Sequence, residues 1–408
     1  MTALAATVDG LLALGGPGTH PASGIAAVRT AAGTQVAAGG WARLPAAGGA
    51  GVPMSADLLL DLASVTKVAA TTAAAMALTA SGELDPGAPV RRYLPSFRGA
   101  GQDDITVEQL LTHTAGLRPW WPLYCEPGDR AAALERAQAL PLAAPPGTAF
   151  AYSDLGLILA GHIIERVTGT GLAGAFAGLV AGPLGLTARY GPVPAGRAAA
   201  SADSDAYEFA MVATGRPYPV PYTTGSFAGW RDHELRGVVN DGNAAHALDG
   251  VSGHAGLFAT VADLLTLGAA LRAGDLGGRA VLDRFAAPSA VAPDRALGFR
   301  RRVLALGPAG GGERLTLLSH GGFTGTFFAF ALERELVIAG GAMRLYGTVG
   351  PIPGHGSVPA GGPSPAGGPG PADAGLADSA DIHDLLLDGA RRVLTGQAAT
   401  PANPGEER

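Results

Sequence analysis

The stretch LLLDLASVTKVAATTAAAMALTASGEL, residues 58–84, reads as a helix that starts near Ala63–Ser64 and stops near Gly82. Ser64 and Lys67 are three positions apart, a spacing that on a helix puts hydroxyl and amine on one face within reach of each other. The partial positive charge of a helix N-terminus favours a developing alkoxide and lowers the pKa of a nearby amine. A neutral lysine can then accept the serine proton, which is what an activated nucleophile requires. Lys67 is also the only lysine among 28 basic residues, the other 27 being arginine. Arginine serves wherever positive charge alone is needed, but it cannot release its proton. The single lysine is therefore a candidate for a position that needs a deprotonatable amine.

Outward from this helix, residues 24–42 predict two strands, GIAAVRT and TQVAAGGWA, around a turn at Ala31–Gly33, the hairpin that begins an antiparallel sheet. Further strands are predicted at Arg300–Leu306, Leu315–Ser319, Thr326–Leu332 and Leu336–Gly341. Helices are predicted from Thr106 to Leu111, over Ala131–Leu140, over Asp154–Thr168 with Gly169 as its stop, over Ala173–Val180, over Thr260–Ala273 and over Asp381–Leu394. Residues 183–250 are rich in Gly, Pro and Tyr and predict long loops. The expected architecture is α+β: an antiparallel sheet formed from both chain ends, flanked by helices, with a mostly helical region inserted. Residues 1–75, 250–346 and 380–398 would build the sheet region and 76–249 the mostly helical region with long loops. Residues 347–379 read as a Gly/Pro-rich flexible insert and 399–408 as a tail.

Composition excludes several classes. The net charge of −6 supplies no basic face, so no nucleic-acid partner is expected. One cysteine, Cys125, excludes a disulfide framework and a cysteine-based zinc cluster. H-E-x-x-H is absent and the nine histidines are scattered, so neither metal nor cofactor is expected. The N-terminus lacks a basic region, and no long run free of Gly and charge predicts a membrane span; a cytoplasmic protein without membrane partner is the expectation. Gly169–Gly174 fits G-x-G-x-x-G but follows a helix, which fails the dinucleotide context. G-x-S-x-G is absent.

Two further motifs carry chemistry. In Tyr152-Ser153-Asp154, a tyrosine near a cation can act as general base or pass a proton to a leaving group. Read structurally, the same residues are a tyrosine packed on a helix start with Asp154 as its cap. In His320-Gly321-Gly322-Phe323-Thr324-Gly325, paired glycines let a backbone approach a substrate and a strand edge can offer an N–H to an oxyanion. The plain alternative is a tight turn or bulge. Trp120, Trp121 and Tyr124 are candidates to line an apolar pocket.

Taken together, these motifs resemble the serine β-lactamase and penicillin-binding-protein superfamily, in its class C-like branch with esterases and D,D-peptidases. LASVTK is similar to the nucleophile motif, and ITVEQLLTHTAGL (105–117) to the family's LLTHTSGL segment. Residues 145–169 resemble its Tyr-x-Asn segment and following helix, and GPLGL (182–186) its PLGM turn. GVVNDGNAAHALDGVSGHAGLFATVADL (237–264) and SHGGFTGT (319–326) resemble a subgroup that reads VHDENA…GGVAGHAGLFST and HTGFTGT. The resemblance implies that Ser64 is acylated, that Lys67 and Tyr152 share the acid/base work, with the acylation base left open between them, and that the amides of Ser64 and Phe323 form the oxyanion hole. Asp154, His320, Gly321 and Gly322 would line the substrate site.

The sequence departs from this pattern. Asp154 replaces the usual Asn, and an ionised Asp accepts hydrogen bonds without donating any. Paired with Lys67 it would raise the lysine pKa. His320 replaces a lysine that faces a substrate carboxylate, which favours ester or amide substrates without one; Arg344 is a candidate substitute charge. Asn240 and Gly242 replace the His and Glu of HDENA. The expected function is an acyl-enzyme hydrolase on a small ester, amide or peptide. Transfer to an amine, as in a peptide cyclase or D,D-peptidase, and a non-catalytic ligand-binding homologue are the alternatives. The oligomeric state stays open.

Overall fold

The computed structural model describes residues 2–45, 49–99, 101–307, 312–350, 352 and 375–396. Most of the insert expected at 347–379 and all of the tail at 399–408 lie outside these residues.

The frame is a seven-stranded antiparallel sheet. Its strands are β1 (Ser23–Thr30), β2 (Gly33–Arg43), β3 (Val52–Pro53), β4 (Arg300–Ala305), β5 (Arg314–Gly321), β6 (Thr326–Ala331) and β7 (Leu336–Ala342). They lie in the order β3-β2-β1-β7-β6-β5-β4. The two ends of the chain meet where β1 pairs with β7, with Ala27 opposite Ala339 and Val28 opposite Ile338. The central strands are buried on both faces, which is why β6 after Thr326 and all of β7 are apolar rather than alternating.

Period-two geometry divides the strand residues between two cores. Val28, Phe327, Ala329 and Ile338 face α1 (Ala3–Ala13) and the C-terminal helix Ser379–Thr395. Ala27, Phe328, Phe330, Val337 and Ala339 face the larger core, which continues into the helical region. That second side carries α2 (Ala73–Ala80), α3 (Asp154–Thr168) and α5 (Val261–Ala273), while α4 (Ala206–Thr214) packs through Tyr207 in a separate small cluster with Ala202, Leu235 and Leu345; the C-terminal helix becomes α6. Thr260 caps α5 in a capping box with Asp263.

The structure departs from the sequence expectations in four elements. α1 forms where only a weak apolar stretch is visible, because Leu4, Val8 and Leu11 bury one stripe against β1 and α6. Residues 183–250 are not all loop: α4 and the short strand pair Ala200–Ala202 and Leu235–Arg236 lie within them. A helix at Gly278–Ala286 was not expected. The helix of residues 58–84 is broken into a 3₁₀ turn at Ala63–Val65, a π-wound stretch at Lys67–Thr72 and α2. Thr72 Oγ1 donates to the Lys67 carbonyl at 2.8 Å, which supports the wider winding. No single described helix is long and apolar enough to cross a membrane.

Candidate active site

Ser64 stands on the 3₁₀ turn, directly after Ala63, whose φ of 44° is unusual for a residue with a Cβ. The turn is held from three sides. Asp61 Oδ1 accepts from the Ala63 amide at 2.9 Å and Oδ2 from the Asn240 amide at 2.6 Å. Thr324 Oγ1 donates to the Asp61 carbonyl at 3.0 Å, and Thr326 Oγ1 to the Leu62 carbonyl at 2.9 Å. Those two threonines tie the nucleophile turn to the β5–β6 turn and the start of β6. Gly322 lies between, and a Cβ there would fall 2.1 Å from Thr326 Oγ1 and 2.5 Å from the Leu62 carbonyl. Burial raises the pKa of the Asp61 carboxyl to about 6, against the amide bonds that lower it.

Lys67 is fully buried and its Nζ is 2.7 Å from Ser64 Oγ, 2.8 Å from Asp154 Oδ1 and 3.2 Å from the His254 carbonyl oxygen. The Ser64 and His254 contacts are hydrogen bonds, and the Asp154 contact is an ion pair. Burial alone would lower the lysine pKa, but the Asp154 carboxylate and the Tyr152 phenol outweigh it and hold the group above its ordinary value. Asp154 does not cap α3: Ser153 does, accepting from the Gly156 amide at 3.3 Å, which leaves the Asp154 carboxylate to pair with Lys67.

Tyr152 lies with its ring 5.0 Å from Lys67 Nζ. Burial raises its pKa, Lys67 pulls it back and Asp154 raises it further, with a net upward shift. His113 sets its orientation, with ring centroids 4.5 Å apart and His113 Nδ1 accepting from the Ser153 amide at 3.0 Å. On the opposite side His320 faces Tyr152 at 6.0 Å. His320 Nδ1 lies 2.8 Å from the Gly321 carbonyl, which can only accept, so the ring proton is on Nδ1 and Nε2 presents a lone pair. Desolvation and the Lys67 charge push its pKa down to about 3, so at neutral pH this position carries no charge.

One cavity of about 450 Å³ collects Ser64, Tyr152, Asp154, His320, Gly321 and Gly322. Phe323, Trp120 and Arg344 also line it. Neither the Ser64 nor the Phe323 amide has an acceptor among the described residues, so both are available to an oxyanion. Trp121 does not line the cavity. Its ring packs on Tyr222 at 5.5 Å and under Arg118, while Trp120 turns the other way onto Tyr218. Tyr124 is also set back, donating to Glu208 Oε1 at 2.9 Å.

Three groups here were not legible as site residues: His113, Asp241 and Glu208. Asp241 Oδ1 lies 2.9 Å from His254 Nε2, and Asp154, Asp241 and His254 bring ligand atoms within 4.8 Å of one another. The spacing would suit a metal, but here the Lys67 ammonium supplies the positive charge. Glu208 reaches in from α4, and its Oε2 accepts from the Gly242 amide at 2.8 Å. A Cβ on Gly242 would fall 2.4 Å from that oxygen. Glu208 thus occupies the space a side chain at 242 would need, and the Gly in place of Glu at 242 was the one sequence signal for it. Burial and the neighbouring Asp241 raise the Glu208 pKa. Gly242→Ala is therefore expected to destabilise by about 1–3 kcal/mol, as overpacking does. In a Glu208→Ala background the same change should cost clearly less in thermal unfolding; equal costs would show that the two positions do not compete for space.

The family model for Beta-lactamase matches residues 4–349. An N-acetylmuramyl-L-alanine amidase of Bacillus subtilis (strain 168) is 33% identical over 268 residues, 61% of this chain and 59% of that protein. Esterase EstB of Burkholderia gladioli is 40% identical over 156 residues, 34% of this chain and 39% of its own length. The chain thus spans three fifths or less of the curated relatives it matches. In fold it is similar to the solved structure of EstCE1, a hydrolase with promiscuous acyltransferase activity, at a TM-score of 0.62 and 20% identity, covering 94% of this chain and 98% of that one. With a match running from α1 past β7 and across the Ser64 turn, α3 and the glycine turn after β5, the chain belongs to the Beta-lactamase family.

Proposed function

We propose that the protein is a serine hydrolase that cleaves small esters, amides or peptides through an acyl-enzyme on Ser64. The observation that carries this reading is the 2.7 Å contact between Lys67 Nζ and Ser64 Oγ at the wall of a cavity large enough for a small substrate. Ser64 Oγ attacks the carbonyl carbon and its proton passes to the Lys67–Tyr152 pair. The negative charge that develops on the carbonyl oxygen falls to the free amides of Ser64 and Phe323. Tyr152, the second acid/base group, returns a proton to the departing alcohol or amine, and the reverse relay serves the incoming water. Relatives named as amidase, esterase and putative D-alanyl-D-alanine carboxypeptidase support ester and amide substrates as a class.

Transfer of the acyl group to an amine is the second reading, and the Asp154–Lys67 ion pair favours it. With Lys67 held as an ammonium by the Asp154 carboxylate, the site is poorly equipped to deprotonate water, and an acyl-enzyme would wait for a stronger nucleophile. Intact-mass spectrometry after incubation with p-nitrophenyl butyrate tests the common step. A single butyryl adduct, mapped to Ser64 and absent from Ser64→Ala, is the expected result. Release of p-nitrophenol that persists in Ser64→Ala would overturn the acyl-enzyme reading. Added amines that speed p-nitrophenol release and appear as butyramides would select transfer over hydrolysis.

A further inference from the structure

Three consecutive carbonyls, those of Ser252, Gly253 and His254, each accept from a buried side chain. The Ser252 carbonyl takes the Tyr190 hydroxyl at 3.1 Å and the Gly253 carbonyl takes Thr71 Oγ1 at 2.6 Å. The His254 carbonyl takes Lys67 Nζ at 3.2 Å. Lys67 and Thr71 stand four positions apart on the π-wound stretch, so one face of that stretch docks on this segment. The segment has no room to slide: a Cβ on Gly253 would fall 2.0 Å from the Leu157 carbonyl oxygen and 2.9 Å from Gly161 Cα, both in α3. The His254 ring is pinned as firmly as its carbonyl. Nε2 lies 2.9 Å from Asp241 Oδ1, and Nδ1 lies 2.7 Å from Ser252 Oγ. A carboxylate only accepts, so Nε2 carries a proton; the Ser252 hydroxyl, which can donate or accept, satisfies Nδ1 in either state of the ring. Asp241 Oδ1 also accepts from the Ala244 amide at 2.8 Å.

Of these three side chains Asp241 alone lines the catalytic cavity, and one of its oxygens lies within 4.8 Å of the Asp154 carboxylate. A fully satisfied buried network is rigid. We propose that the Asp241–His254 pair, fastened by Ser252, is a positioning unit for Lys67: its backbone aims Nζ at Ser64, and its imidazole claims the Asp241 carboxylate, which would otherwise become a second counter-ion to the lysine. The inference rests on the acyl-enzyme reading, in which Lys67 has to give up a proton. Burial opposes ionisation of Asp241, but the contacts with His254 and the Ala244 amide outweigh it and hold the carboxyl below its ordinary value. The other titratable groups facing Lys67 are Asp154, Tyr152, His113, His320 and Tyr218, while Glu208 faces Asp241.

The test follows kcat/KM for p-nitrophenyl butyrate against pH in the full chain. Asp241→Asn takes a negative charge from beside the ammonium and should displace the acid limb down by about 0.5–1 pH unit. His254→Leu releases the carboxylate toward Lys67 and should displace the limb up by about the same amount, through kcat rather than KM because His254 does not line the cavity. His254→Gln, whose N–H can still reach Asp241, should stay within about 0.3 unit of native. Ser252→Ala, which frees the ring at Nδ1, should shift the limb upward by less and carries the test if His254→Leu does not fold. A merely structural role would lower kcat in every variant without opposite displacements. A limb that stays in place in Asp241→Asn and His254→Leu, or moves the same way in both, would overturn the unit. The single lysine supplies a readout that needs no turnover, since lysine labelled with ¹³C at Cε gives one resonance. In an Asp154→Asn background, which removes the direct counter-ion, its titration midpoint should fall further with Asp241→Asn and rise with His254→Leu. That order supports the unit even if no ester acylates Ser64, and coincident or reversed midpoints would refute it even if esters turn over.

Discussion

Lys67→Arg is expected to lower kcat/KM for an activated ester by about 10³-fold or more, near the upper range for loss of a general base. The substitution keeps a cation opposite Asp154, so the buried carboxylate is not left unpaired. What it removes is the capacity to give up a proton, because a guanidinium stays charged at any pH the protein survives. A purely electrostatic role for Lys67 would survive the change; a proton-transfer role would not. The residue is fully buried, so the larger side chain also tests the packing around α2 and α3. Lys67→Met, which fits the volume better but strips the charge, should show a comparable loss, and thermal unfolding of both variants separates lost chemistry from lost structure. Activity of Lys67→Arg within tenfold of native would move the base to Tyr152 alone.

The chemistry of this site was legible where a single residue type had no substitute. One lysine in a chain of arginines, three positions after a serine, singles out without any knowledge of the sheet a pair that the structure brings to 2.7 Å. The sheet itself was legible because β6 and β7 are short apolar runs bounded by turn residues, and β1 and β2 flank a tight turn. What escaped depended on partners distant in the chain. α1 buries its stripe only because α6, more than 360 residues later, packs on it. Glu208 matters because Gly242, 34 positions away, leaves room for it. His383 reads as one more scattered histidine until Gly321 is seen beneath its ring. Trp121 was misplaced beside Trp120 because adjacency in a loop says nothing of direction: the two rings pack on Tyr222 and Tyr218 respectively.

Asp154→Asn is expected to move the acid limb of the kcat/KM profile down by about 1–2 pH units, raising activity at pH 7 by about 10–100-fold. The sign follows from the geometry and does not depend on which group is the base. Asp154 raises the pKa of both Lys67 and Tyr152, and with both held up, the resting site contains an ammonium and a phenol. Below the pKa of the base, each pH unit lowers the reactive fraction tenfold, so a higher pKa means less activity at neutrality. Removing the carboxylate leaves burial as the dominant influence on Lys67, and burial favours the neutral amine. For Tyr152 the loss of a neighbouring negative charge favours the phenolate. An asparagine can still accept from Lys67 through its carbonyl oxygen and adds an N–H donor toward the cavity. If the limb stays in place while the rate falls, Asp154 is itself a participant in proton transfer. A limb that moves with little gain in the plateau would instead make Asp154 a setting of the working pH, one that ties turnover to alkaline conditions or to a nucleophile needing no base.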